Sequence, residues 1–118
     1  MKENIILEKS YSFARRIIRL YLFLKKDKKE FELARQVLRS GTSIGANIEE
    51  AIGGFSKKDF CAKMGIAYKE ARETKYWLRL LHDTNFLESR IFNSMNSDCE
   101  ELLKIIGTIL KTLKGKNS

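Results

Sequence analysis

The sequence predicts an all-α protein: an up-down-up-down antiparallel four-helix bundle that assembles into a homo-oligomer. Three observations carry the bundle; the homo-oligomer rests on the apolar excess of the first helix. Apolar and small residues recur at alternating steps of three and four along most of the chain. Proline is absent from all 118 residues, so nothing forces a break inside a long helix. The breaks that do occur are short clusters of charged, Gly, Ser or Asn residues set a helix length apart. Connections of no more than about six residues leave consecutive helices packed antiparallel. Helices of about 25 residues, at ~1.5 Å per residue, make a rod roughly 37 Å long.

The first helix, roughly residues 5–25, has the loosest pattern, with Ala14, Ile17, Tyr21 and Leu24 as its inward stripe. Ile17, Ile18, Leu20, Tyr21, Leu22, Phe23 and Leu24 cover nearly its whole circumference, more than one bundle core can use. Such an excess marks an interface or an overpacked terminus; Ile18 and Leu22 are placed at a subunit contact. Lys25 to Lys29 form a charged turn. The second helix, roughly 29–53, carries Phe31, Ala34, Leu38, Gly41, Gly45, Ile48 and Ile52 on one stripe. Its two mid-helix glycines each cost about 1 kcal/mol relative to Ala. The return is close approach of another backbone, from within the bundle, from a ligand or from a second subunit. Ser43 and Asn47, one turn apart, are hydrogen-bonding groups of the fold or of a subunit contact. The candidate subunit interface is therefore Ile18, Leu22, Gly41, Ser43, Gly45 and Asn47.

Gly53-Gly54 stops the second helix through the left-handed conformation glycine tolerates. Ser56 with Asp59 resembles a capping box and opens the third helix, roughly 57–83. Its stripe is Phe60, Met64, Ala67, Ala71, Thr74, Leu78 and Leu81. His82 to Asn85 closes it. The fourth helix, roughly 89–114, carries Phe92, Met95, Cys99, Leu102, Ile106, Ile109 and Leu113.

Composition bounds the rest. The length fits one domain, residues 1–118, and a chain of this size buries roughly two thirds of its unfolded surface without metal or disulfide help. Hydrophobic content of 43% with 32% charged residues excludes disorder. The longest apolar run, Leu20 to Leu24, is far short of the ~20 residues that span a bilayer. No secretory segment follows Met1, and Cys61 and Cys99 stand alone, as suits free thiols in a reducing cytoplasm.

The net charge of +8 is unevenly spread: residues 9–39 carry +7, residues 40–103 carry −2 and residues 104–118 carry +4. With the first stripe turned inward, Arg15, Arg16, Arg19 and Lys26 lie opposite, and Phe23 falls among them. Lys28 and Lys29 follow in the turn; Arg35 and Arg39 extend the surface onto the second helix. Guanidinium groups pair with phosphate and an aromatic ring can stack on a base, so these nine residues form the candidate nucleic-acid-binding surface. A solvated helix face or attraction to an anionic membrane surface are the competing readings.

Catalytic signals are sparse. His82 is the only His, and neither Cys has a base near it in sequence. Glu70 and Glu73 are read as pairing within their own helix with Lys69, Arg72 and Lys75. Gly53-Gly54 lacks the Lys-Ser/Thr of a phosphate loop. No catalytic, metal or cofactor-binding residue is assigned; a cleft at Ser43, Asn47 and Glu50 is the weakest reading.

The run Leu38-Arg39-Ser40-Gly41-Thr42-Ser43-Ile44-Gly45-Ala46-Asn47-Ile48-Glu49-Glu50-Ala51, then Ser56-Lys57-Lys58-Asp59-Phe60, resembles a signature of the bacterial four-helix-bundle family also called the 23S rRNA intervening-sequence protein family. Ala67 to Leu81 resembles its second signature, and Asp98-Cys99-Glu100-Glu101-Leu102 its last helix. Asn85-Phe86 departs from it, standing where a Gly-Tyr-like pair is usual. The resemblance implies a homopentamer with no attached enzymatic activity. It also implies kinship with the accessory variability protein of diversity-generating retroelements, a basic pentamer that binds nucleic acid and a reverse transcriptase. The expected function is thus a non-catalytic oligomer that binds RNA or DNA. The alternative is a protein–protein scaffold or accessory factor for a nucleic-acid enzyme such as a reverse transcriptase.

Overall fold

The chain leaves helical geometry at three places, each for a local chemical reason. The structure, a computed structural model, describes residues 2–116; residues 1, 117 and 118 of the expected domain lie outside it. α1 (Lys2–Lys26) ends in a turn where Lys29 adopts a left-handed φ of 56°. α2 (Glu32–Ile52) starts three residues later than the sequence pattern suggests, because its first turn is capped from outside. Phe31 makes no side-chain cap bond; the Glu30 carboxylate accepts from the Ala34 N–H at 3.0 Å instead.

The end of α2 differs from expectation. Gly53 has φ −82°, and no described glycine has positive φ. The helix stops with ordinary backbone geometry, the Gly53 N–H still bonded to the Glu49 carbonyl at 3.1 Å. α3 (Lys57–Asp83) then begins as expected, with Ser56 Oγ accepting from the Asp59 N–H at 3.0 Å. Beyond α3 the left-handed residue is Asn85, φ 71°, at the position where the family resemblance leads one to expect Gly. Asn is among the few other residues that tolerate this region. His82 joins this turn to α4 (Ser89–Lys116): its ring stacks on Phe92 with centroids 4.4 Å apart, and Nε2 lies 3.0 Å from Ser89 Oγ.

The four helices form a closed ring. α1 and α3 each have α2 and α4 as neighbours, no Cα atoms of a diagonal pair come within 8 Å of each other, and no strand occurs among the described residues. The body measures 48 × 21 × 21 Å. The α3 and α4 stripes are buried as their spacing predicts, from Met64 to Leu81 and from Met95 to Ile109. The other two are rotated. α1 buries Ile6, Phe13, Ile17, Leu20 and Leu24, leaving Ala14 and Tyr21 on its flank. α2 buries Ala34, Val37, Gly41, Ile44, Ile48 and Ala51, while Phe31 and Ile52 are exposed. Bulky Phe13, Leu20 and Ile44 take the core over Ala14, Tyr21 and Gly45, since each buried side chain of that size stabilises by about 1.5–3 kcal/mol; Val37 is buried where the larger Leu38 is only partly so, which side-chain size does not explain.

Polar groups stitch the seams. Between α2 and α3, buried Thr74 Oγ1 donates to the Glu70 carbonyl at 2.8 Å and pairs with Ser40 Oγ at 2.9 Å. Further along that seam Glu50 meets Lys63 at 2.7 Å. Between α1 and α4, Lys9 pairs with Glu101 at 3.2 Å and Arg16 with Asp98. Between α3 and α4, Lys75 reaches Glu100 at 3.6 Å, and the Cys99 thiol donates to the Ala71 carbonyl at 3.2 Å. Burial pushes that thiol's pKa up to about 12.

Candidate nucleic-acid interface

The basic residues of α1 divide according to which side of the helix faces a neighbour. Arg15, Arg19 and Lys26 project away from the bundle, and among the described residues none makes an ion pair. Arg16 is turned toward α4 and held by Asp98. Lys28 and Lys29 are exposed in the turn, with Lys28 Nζ 5.9 Å from the centre of the Phe23 ring, itself 38% exposed. Arg35 is exposed and pairs with Glu32 at 2.9 Å on its own helix.

Arg39 is a different kind of residue. It reaches across the seam to Glu70 at 3.2 Å and to Glu73, whose carboxylate also accepts from Trp77 Nε1–H at 2.8 Å. Glu70 and Glu73 therefore serve α2 rather than pairing within α3. The Trp77 hydrogen bond holds the Glu73 carboxyl below the usual carboxylate range; burial works against this and Arg39 adds to it. The bond to Glu73 in turn raises the Arg39 guanidinium above its ordinary value. With two carboxylates already engaged, Arg39 has little left for a phosphate.

Two grooves flank the first half of α4. The larger, about 480 Å³, opens between α1 and α4; buried Leu20, Leu87 and Met95 line it together with Phe23, Phe86 and Ile91, and Arg16, Arg19, Lys28 and Glu88 add charged groups. The smaller, about 380 Å³, lies between α3 and α4 and is lined by Arg72, Lys75, Tyr76, Arg79, Phe92 and Asn96. Three cations with two aromatic rings make this a second basic groove, which the charge tally by segment hides because α3 lies in the slightly acidic middle of the chain. The signal was available in the spacing: residues 72, 75, 76 and 79 share one helix face.

The six residues expected at a subunit contact fall on separate surfaces. Ile18 and Leu22 are 44% and 55% exposed on the outer face of α1, with Tyr11 two turns before Ile18. Gly41 is buried inside the chain against Ile17, and Gly45 approaches Ser10, so both glycines face α1. Ser43 and Asn47 lie about 200° around the helix from Gly41 and Gly45, since each residue turns it by about 100°. There Asn47 Nδ2 donates to the Ser43 carbonyl at 2.8 Å and Oγ at 3.0 Å. Glu50, the third member of the weak cleft reading, is paired with Lys63. Among the described residues no group of three or more His, Cys, Asp or Glu comes together to hold a metal ion, and no helix is long and apolar enough to cross a membrane.

Comparison with known proteins places this arrangement. No curated protein matches the chain. The crystal structure of a protein of unknown function from the S23 ribosomal protein family of Bacteroides thetaiotaomicron VPI-5482 is similar at 49% identity, over 94% of this chain and 99% of that one, with a TM-score of 0.93. The sequence model described as 23S rRNA-intervening sequence protein matches residues 2–108, nearly the full length and all four helices. The chain belongs to the 23S rRNA-intervening sequence protein family.

Proposed function

We propose that this protein is a non-catalytic, cytoplasmic, homopentameric bundle that binds RNA or DNA through the outer face of α1. The observation that carries the proposal is the line of cations Arg15, Arg19 and Lys26, exposed and without carboxylate partners. The family's name, which ties it to 23S rRNA genes, and the chain's net charge of +8 point the same way. The up-down-up-down course is supported by the order of the cross-helix pairs. Residues 9 and 16 of α1 meet 101 and 98 of α4, and residues 39 and 50 of α2 meet 73 and 63 of α3. Assembly is supported by Tyr11, Ile18 and Leu22, apolar groups along one outer stripe of α1.

The test is a mobility-shift titration with structured RNA at several salt concentrations. Three cations neutralising three phosphates contribute about 2 to the logarithmic salt slope per protomer on single strands, at ~0.7 each. Repetition across an oligomer raises avidity further. Reversing Arg15, Arg19 and Lys26 to Glu is expected to abolish the shift, and absence of binding by the unaltered protein at low salt would refute the proposal. A second reading, an accessory factor that docks on another protein, is favoured by Ile52 and the fully exposed Phe55 at the α2–α3 turn. Co-purification of a partner that survives nuclease and high salt, and is lost in Phe55→Ser, would support it.

A further inference from the structure

The groove between α1 and α4 combines features that plain phosphate tracking does not need. Its volume of about 480 Å³ lies within the roughly 300–1,000 Å³ of sites that enclose small organic groups. Buried Leu20 and Met95 give it an apolar lining, and Phe23 and Phe86 bring aromatic rings to it. Arg19 and Lys28 also line it, and Lys28 already lies near the Phe23 ring. Neither cation makes an ion pair among the described residues, while the acid of the lining, Glu88, is turned to Arg90 at 3.6 Å.

We infer that this groove takes one unpaired base of a single-stranded nucleic acid, stacked on Phe23, with Arg19 and Lys28 holding the phosphates on either side. The inference rests on the nucleic-acid reading above and names the form of nucleic acid preferred. Charge complementarity selects the occupant. Arg19 belongs both to the groove lining and to the outer line that runs from Arg15 to Lys26, about 16 Å along the helix at ~1.5 Å per residue. A polyanion uses that whole line; an amphiphile with a single anionic head would use only its end. A base inside a duplex is stacked and paired on both sides, and must be flipped out at an energetic cost before it can enter a groove between two helices. An unpaired base needs no such step, and aromatic stacking accepts any base face.

The experiment measures binding of the intact protein to a fluorescent 12-nucleotide RNA, to the same RNA as a duplex, and to a single strand carrying 2-aminopurine, all at low salt. Tighter binding of the single strand and quenching of 2-aminopurine emission are expected. Phe23→Leu, which keeps an apolar side chain but removes the ring, is expected to weaken single-strand binding about tenfold, the size of one base–aromatic stack. It should also abolish the quench and weaken duplex binding far less than single-strand binding; Phe23→Tyr should retain the quench and both affinities. Equal affinity for single strand and duplex with no quench would overturn the inference while leaving nucleic-acid binding intact. Light scattering that shows Phe23→Leu altering the oligomer mass would also overturn it, marking the groove as a subunit contact. Failure of every RNA to bind the unaltered protein would overturn the broader reading and this one with it.

Discussion

Replacing Gly41 by Ala tests the α1–α2 seam at its tightest point. A Cβ built on Gly41 would lie 2.6 Å from Ile17 Cγ1 and 2.8 Å from both Cδ1 and Cγ2. Favourable carbon contacts sit at about 3.5–4.0 Å, so the added atom is deep in the repulsive wall. Ile17 is fully buried, and a β-branched residue on a helix has one strongly preferred rotamer, so it cannot swing aside. Overpacking at such a site costs about 3 kcal/mol. The helix gains about 1 kcal/mol from exchanging Gly for Ala, leaving a net loss of about 2 kcal/mol. Gly45, one turn on, has the opposite expectation. Its added Cβ would sit 3.4 Å from the Ser10 carbonyl, an ordinary contact, so Gly45→Ala keeps the propensity gain and stabilises by about 1 kcal/mol. The assay is urea unfolding followed by circular dichroism at one fixed protein concentration, because assembly would couple to stability. Ile17→Ala combined with Gly41→Ala should be less damaging than the two losses added, since the new methyl occupies space the shortened side chain leaves. A neutral Gly41→Ala, or equal effects at both glycines, would refute the packing argument. A change of molecular mass in light scattering on Gly45→Ala would show instead that this glycine meets a second copy of the chain.

Further outcomes follow from the ion pairs and the thiols. Arg39→Gln is expected to lower stability by about 1 kcal/mol, as for a half-exposed pair, without changing RNA affinity; Arg19→Gln should do the reverse, and melts with mobility shifts on both variants decide it. Glu73 has a depressed folded pKa, so its contribution is fully present above its ordinary value of 4.5 and is lost as pH falls through the folded value. Thermal melts from pH 7 to pH 3 should therefore show the unaltered protein losing stability below pH 4.5 more steeply than Glu73→Gln. With its pKa near 12 and its Sγ buried, Cys99 should resist thiol reagents at pH 8, whereas half-buried Cys61 reacts. One thiol per chain should titrate in the native protein and two in denaturant.

How much of this was legible beforehand differs from helix to helix. α3 and α4 alternate cleanly between apolar and charged residues, so period alone sets their phase, and the buried stripes are the expected ones. α1 is apolar nearly all round and α2 carries small residues on several faces, so spacing fits more than one phase. The choice falls to side-chain volume and to which neighbour the helix meets. The same ambiguity grouped residues that do not share a surface: Gly41 and Ser43 are close in sequence but face opposite ways, a distinction that requires knowing where α1 lies. Turn chemistry was half legible. Ser56 with Asp59 was readable from residue type, but the left-handed positions proved to be Lys29 and Asn85 rather than Gly53 or Gly54. The α1–α4 groove was beyond sequence reasoning, since it is a gap between helices at opposite ends of the chain, whereas the α3 side of the smaller groove was legible as residues 72, 75, 76 and 79 on one helix face.

The distribution of acids explains why the charge ends up where it does. Asp98 and Glu101 are spent on the α1–α4 seam, Glu50, Glu70 and Glu73 on the α2–α3 seam, and Glu100 on the α3–α4 seam. Lys9, Arg16, Lys63 and Lys75 each meet one of them across a seam, and Glu70 and Glu73 share Arg39. Half-exposed pairs of this kind contribute little stability individually, about 0–1 kcal/mol, but they fix which helix faces which and in what register. Once the seams have drawn in these carboxylates, the outer face of α1 retains Arg15, Arg19 and Lys26 with none opposite them. Burying that face against a second copy would have to leave these cations in water. The exposed apolar residues Ile18 and Leu22 lie beside the cations on the same outer surface, so assembly through the apolar edge leaves the basic edge free. One helix with two adjacent stripes, apolar and basic, thus offers separate edges for the proposed assembly and the proposed polyanion binding. Substitutions confined to either stripe should separate the two properties.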